Sequence, residues 1–268
     1  MIVDIDVLLE YQMDEACDVL LQIEAAEMAD QHIISSSLTV GSPLPLTACE
    51  GEESIGQRTW ARAEGRFDVN YSARVEINRA LPDIALFRAD DPRSLPALVI
   101  PYLLPSRYCE STEFEAFVHR EFWRVEGGAK IIAMRDWMIA NVDYVSGAST
   151  GTTTAAQTFV QRQGVCRDFA HLLAAFARAA TIPARLVSAY APKVDPPDFH
   201  AVVEVWLEGS WHLIDATGMA AAEDIVRIGV GRDATDIAFM TTFGMAEFFE
   251  QRVSVRKVDG STAGDSVA

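Results

Sequence analysis

Apolar and polar residues alternate in the first part of the chain. Val3-Asp4-Ile5-Asp6-Val7 and Arg74-Val75-Glu76-Ile77-Asn78 carry the period of two that marks half-buried strands. Asp18 to Ile23 and Ser37 to Val40 are rich enough in β-formers to join them, with turn residues at Gly41-Ser42-Pro43 and Glu64-Gly65. The pattern predicts a small antiparallel β-sandwich over residues 1–82. Prolines at 82, 92, 96, 101 and 105 then exclude any long element. Leu95, Leu98, Val99, Ile100, Leu103 and Leu104 mark 83–109 as a packed connection, since a disordered linker would be more polar.

The period changes to 3.6 after that. Ser111-Thr112-Glu113-Phe114-Glu115 opens a helix whose apolar face is Phe114, Phe117, Val118 and Phe122. A second helix is expected from Ala129 to Asn141, and Trp123 and Trp137 are expected to pack. A Ser/Gly/Thr loop, 146–154, leads to a short helix, Ala155 to Gln161, capped by Thr154. Phe169, Leu172, Leu173, Phe176 and Ala180 then trace one buried helical face that must end before Pro183.

That last helix begins at Gln163-Gly164-Val165-Cys166, which puts Cys166 on its first turn. Unpaired N–H groups there favour a thiolate, the nucleophilic form of cysteine. A lone cysteine is more often an inert small hydrophobe, so partners decide the matter. Gly164 lets the backbone approach closely, as a substrate-facing turn requires. Strands follow over 184–190, 200–207 and 211–217, the last two forming a hairpin around Glu208-Gly209. With Leu207 facing Ser210, His200 falls opposite Thr217, and Asp215 lies diagonally beside it on the same face. A slip of one residue would send Asp215 to the other face.

Cys166, His200 and Asp215 thereby form a candidate nucleophile, base and orienting carboxylate. The Cys166 N–H is the natural oxyanion donor, and Gln157 is preferred over Gln161 and Gln163 as a second. The other histidines fit less well. His171 lies about 140° around the helix from Cys166, His212 points away from the face of Asp215, and His119 and His32 have no partners at suitable spacing. Neither a metal nor a cofactor is expected, because structural zinc usually wants four ligands in paired spacing.

A formal net charge of −17 disfavours nucleic acid and anionic membranes as partners. No apolar run approaches the ~20 residues of a membrane helix, and the acidic start does not resemble a signal peptide. The four cysteines show no paired spacing, which suits thiols in a reducing cytoplasm. Residues 110–258 read as one core, with a last strand over Arg252 to Val258, and 259–268 as a disordered tail.

These motifs resemble the transglutaminase-like superfamily, in its bacterial branch. Gly164-Val165-Cys166-Arg167-Asp168-Phe169-Ala170-His171-Leu172 is similar to its nucleophile motif, and Ile182 to Val187 to the stretch that follows it. His200 to Trp206 is similar to the histidine strand, Trp211 to Thr217 to the aspartate segment, and Gly231-Arg232-Asp233 with Asp236 to a further block. The resemblance implies an α+β, papain-like core behind a β-rich N-terminal region, a Cys166/His200/Asp215 triad and thioester chemistry on amides. Ala216 stands where the family often has proline and Val202 where it often has an aromatic residue, and no calcium-loop signature is present. The expected activity is cysteine-dependent hydrolysis of peptide or amide bonds in a peptide or protein substrate. The alternatives are acyl transfer to an amine acceptor with the same triad, and a non-catalytic interaction protein.

Overall fold

The structure, a computed structural model, describes residues 1–258, so the tail expected from residue 259 lies outside the described residues. Four strands come first: β1 (Ile2–Leu21), β2 (Gln31–Val40), β3 (Thr47–Glu50) and β4 (Gln57–Ile77). Helices α1 (Glu115–Glu121) and α2 (Gly127–Asn141), strand β5 (Asp143–Tyr144), helix α3 (Ala155–Gln161), strand β6 (Gln163–Gly164) and helix α4 (Cys166–Ala179) follow. Strands β7 (Ala184–Tyr190), β8 (His200–Leu207), β9 (Ser210–Ile214) and β10 (Val226–Gly231), helix α5 (Ala234–Ile237), and strands β11 (Met240–Thr242) and β12 (Ala246–Val258) complete the chain.

The two alternating stretches at the start, Val3 to Val7 and Asp18 to Ile23, belong to one long strand. β1 pairs antiparallel with β4 from Ile2↔Glu76 to Leu21↔Thr59, and the interruption between Met13 and Cys17 is a bulge. Asp14 and Glu15 are exposed there, which is why the apolar alternation breaks off. Gly65, read as a turn residue, sits inside β4 opposite Met13 with φ +61°, a conformation that favours glycine. Val3, Ile5, Val7 and Leu9 of β1 and Phe67, Val69, Tyr71 and Val75 of β4 all point to one buried face. Tyr190, Val226 and Ile228 from the other half of the molecule share that core. The strands form one six-stranded antiparallel sheet.

The last strand corrects the expected grouping of residues 110–258. β12 runs beside β1 from Ile2↔Val258 to Met13↔Ala246, and β11 extends the same edge. Residues 240–258 therefore belong by pairing to the first sheet. β1 has backbone donors and acceptors on two edges, and β12 satisfies the edge that β4 leaves open. Alternation specifies a strand but not its neighbour, so the sequence pattern could not assign this pairing.

β10, β7, β8 and β9 form a second antiparallel sheet in that order. α4 packs on it, burying Phe169, Leu172, Leu173 and Phe176 together with Leu186, Val203 and Val205. Phe176 is the centre of an aromatic cluster with Phe114, Phe117, Phe159 and Trp137, at ring separations of 5.2, 5.3, 6.0 and 5.8 Å. Trp123, also expected to pack, is 63% exposed, with the Arg124 guanidinium 4.9 Å over its ring. A solvated cation–π pair holds it in place of a core contact. The proline-rich connection buries Val99 and Tyr102 but leaves Leu98, Ile100 and Leu104 exposed, so its packing runs through fewer side chains than its composition suggested.

α4 ends in a left-handed residue, Thr181 (φ 61°), whose N–H bonds the Arg178 carbonyl while Ile182 N–H reaches back to Ala177. Pro183 then starts the turn into β7. Across the other face of this sheet, Glu204 is fully buried and accepts from Arg185 Nε and Arg227 Nη1, both at 2.8 Å. Arg185 continues to Glu53 at 2.8 Å, and Arg227 to Asp30. Charge pairs thus link the second sheet to residues flanking the strands of the first.

Candidate active site

Cys166 is the first residue of α4 and is half-buried. Its helix start is organised by Asp168, whose Oδ2 accepts the Val165 N–H at 2.8 Å while Oδ1 takes Arg167 Nη2 at 3.0 Å. Gly164 serves this arrangement. A Cβ there would lie 2.7 Å from Cβ of Asp168, so the close approach is to the capping carboxylate rather than to a substrate. Arg167 also donates to the Thr150 carbonyl at 2.6 Å, pinning the Ser/Gly/Thr loop beside the cysteine.

His200 begins β8 and lies opposite Ala189 of β7. The β8–β9 hairpin pairs Leu207 with Ser210 and Val203 with Ile214, turning through Glu208 and Gly209, both at positive φ. That register leaves Asp215 just past β9, with Oδ2 3.0 Å from His200 Nε2. The carboxylate is further gripped by the Ala220 N–H at 2.7 Å, the Thr217 N–H at 2.9 Å and the Thr217 hydroxyl at 2.8 Å. Burial would raise its pKa, but the imidazole and these donors hold it below the usual carboxylate range. His200 is the mirror case. Burial pulls its pKa down, yet the hydrogen bond to Asp215 and the interaction with Cys166 push it up to about 10. Its Nδ1 is buried and has no hydrogen-bond partner among the described residues, and the Cys166 Sγ itself lies 4.0 Å from the Phe199 carbonyl.

A raised histidine pKa links folding to pH with a definite sign. It contributes stability in full below about pH 6.5, and that stability is lost as the pH rises through about 10.

Cys166 and His200 open onto a cleft of about 500 Å³ walled by Tyr108, Asp198, Phe199, Ile237, Phe239 and Met240, among others. Phe199 stacks on Phe239 at 4.5 Å, joining the histidine strand to the segment that enters β11.

Gln157 is not part of this cleft. It is exposed, and its side-chain oxygen accepts the Thr154 N–H at 3.0 Å in a capping box of α3. The hydroxyl beside Cys166 is instead that of Tyr144. Parallel pairing of β5 with β6 sets Tyr144 against Gly164. Burial first, and then the Cys166 side chain, push its phenol up to about 12, while the Cys166 N–H acts on the same oxygen in the opposite sense. The phenol is therefore neutral, and Tyr144 is not among the residues that wall the cleft. A two-residue strand carries no readable period, so sequence reasoning had no signal for Tyr144.

The remaining candidates have structural places. His171 is buried, stacks on Tyr108 at 5.2 Å and accepts the Ala234 N–H at 3.1 Å, and burial drops its pKa to about 4. His212 bonds Ser210 and the Leu207 carbonyl, and His32 pairs with Glu27 on the surface. Cys109 is fully buried, which pushes its thiol up to about 12 and leaves it inert.

A helix that begins on a cysteine, packed on an antiparallel sheet carrying a histidine and an aspartate, defines a papain-like α+β core. The profile of the transglutaminase-like superfamily matches residues 124–216. A candidate cysteine protease from Cytophaga hutchinsonii, known from its crystal structure, is 32% identical to this chain. It superposes with a TM-score of 0.92 over all of this chain and 94% of its own. An uncharacterised protein of Mycobacterium leprae is 33% identical over 116 residues, a match covering 40% of this chain and 42%, under half, of that protein. The chain belongs to the transglutaminase-like superfamily, and its fold and neighbours fit an enzyme of that group.

Proposed function

We propose that the protein is a cysteine-dependent hydrolase of peptide or amide bonds, working through a thioester on Cys166 with His200 and Asp215 as its partners. The observation that carries this reading is the placement of His200, with Asp215 Oδ2 3.0 Å from Nε2, a buried Nδ1 that no hydrogen bond occupies among the described residues, and Cys166 on the same cleft. His200 already holds the thiol proton as an imidazolium, and the Cys166 thiolate adds to the carbonyl carbon of the amide. The oxyanion is met by the Cys166 N–H, which at the first helical position has no intrahelical acceptor, and by the Tyr144 hydroxyl. Collapse breaks the C–N bond, and the leaving amine takes the proton from the imidazolium. Water then gives up a proton to the neutral imidazole and attacks the thioester, releasing the acid and restoring the thiolate and imidazolium. An amine in place of water would yield transfer by the same steps.

The test is a peptide-library incubation with a rapid acid quench, read by mass spectrometry. An acyl adduct confined to Cys166 is expected, with ¹⁸O from labelled water in the released acid. A new amide formed when amines are added would favour transfer, and an absence of any adduct across the library would favour an interaction protein. Tyr144→Phe is expected to lower kcat by about 10²-fold, as loss of one oxyanion donor does. Its KM should stay within a few-fold, which a steady-state comparison with the unaltered protein checks.

A further inference from the structure

Asp198 stands two residues before His200 and faces the same cleft. Its Oδ1 accepts the Phe199 N–H at 2.6 Å and the side-chain amide of Gln251 in β12, while Oδ2 has no partner among the described residues. Of the cations that could neutralise it, Arg167 is committed to Asp168 and the Thr150 carbonyl, and Arg107 lies 5.2 Å over the Tyr108 ring. Asp198 is exposed at the cleft, and its pKa is raised by desolvation, against which the Phe199 N–H, the Gln251 amide and the His200 charge favour ionisation. The Asp198 charge is felt in turn by Tyr11 and Tyr144. A carboxylate on the cleft wall is thus held by the N-terminal sheet and forms no salt bridge among the described residues.

The side of the cleft follows from the chemistry proposed above, on which this inference rests. His200 delivers its proton to the departing nitrogen, so the leaving amine lies on the histidine side of the sulfur. Asp198 lines the same cleft two residues from His200, which puts it along the leaving-amine half. We propose that Asp198 determines specificity, selecting substrates that carry a cationic group, a lysine or arginine side chain or a free amine, on the leaving-amine side of the scissile amide. The net charge of −17 works in the same direction, drawing cationic peptides toward the protein. The inference also gives the N-terminal sheet a role, since β12 supplies the Gln251 that fixes the selecting carboxylate.

The test does not require an identified substrate. The unaltered protein, Asp198→Asn and Asp198→Lys are each reacted with methanethiosulfonate reagents bearing an ammonium, no charge or a sulfonate, and labelling of Cys166 is timed by mass spectrometry. The ratio of ammonium to sulfonate rates is expected to fall about tenfold in Asp198→Asn and further in Asp198→Lys. Asparagine retains the acceptor for the Phe199 N–H. Should either variant fail to fold, the unaltered protein still reports through the peptide comparison that follows. In peptide turnover, a lysine just beyond the scissile amide should be preferred about tenfold over glutamine. A ratio unmoved by Asp198→Asn, or equal turnover of the lysine and glutamine peptides, overturns the inference and leaves the thioester reading intact. A neutral reagent reacting at Cys166 no faster than at exposed Cys49 would instead undercut the thioester reading.

Discussion

Cys166→Ala is expected to abolish acyl-adduct formation and to cut amide turnover by about 10⁴-fold or more. Every covalent step of the proposed mechanism begins at this sulfur, and no other thiol can replace it. Cys109 is fully buried with its pKa pushed up to about 12. Cys17 is buried against Met13 Sδ at 3.9 Å, and exposed Cys49 sits in edge strand β3. The fold should survive the change, because Cys166 is only half-buried and alanine suits a helix. A thermal midpoint within a few degrees of the unaltered protein, together with lost turnover, is the expected pair of results. Residual turnover above about a hundredth of the original would point to a different nucleophile.

The largest effect on stability is expected at Glu204→Ala. This carboxylate is fully buried and takes hydrogen bonds from Arg185 and Arg227 at 2.8 Å each. Removing it leaves two guanidinium groups confined without their shared counter-charge, a loss of about 3–5 kcal/mol. For a protein of this size, that corresponds to a fall of about 6–20 °C in Tm, measurable by calorimetry. Glu204→Gln, which keeps an acceptor oxygen, should recover part of the loss. A shift under about 2 °C for the alanine variant would mean that the network does not hold the second sheet to the flanks of the first.

How legible this was depends on the range over which each signal acts. The α4 helix announced itself through Phe169, Leu172, Leu173 and Phe176, because a buried helical face repeats along one contiguous stretch. The Glu208-Gly209 turn fixed the hairpin register, since two residues at positive φ leave few other pairings. Asp215 meets His200 from the loop just past the last pair, Val203↔Ile214, where the sequence had expected strand to Thr217. Signals that depend on distant chain were missed. β12 reads as a strand but gives no hint that its neighbour is β1, more than 230 residues away. Tyr144 lies in a strand too short to show a period, and Gln157, chosen for its donor amide, is held by the cap of its own helix. Trp123 follows the usual rule that aromatic residues pack, and Arg124 overrides that rule locally.

Iodoacetamide footprinting at neutral pH tests the central claim most directly, because accessibility and activation pull in opposite directions here. Cys49 is exposed and Cys166 is half-buried, so access alone favours Cys49. If His200 holds the Cys166 proton, Cys166 is alkylated at least about tenfold faster than Cys49, and His200→Ala removes that advantage. Alkylation of Cys166 at or below the rate of Cys49, unchanged by His200→Ala, would contradict it.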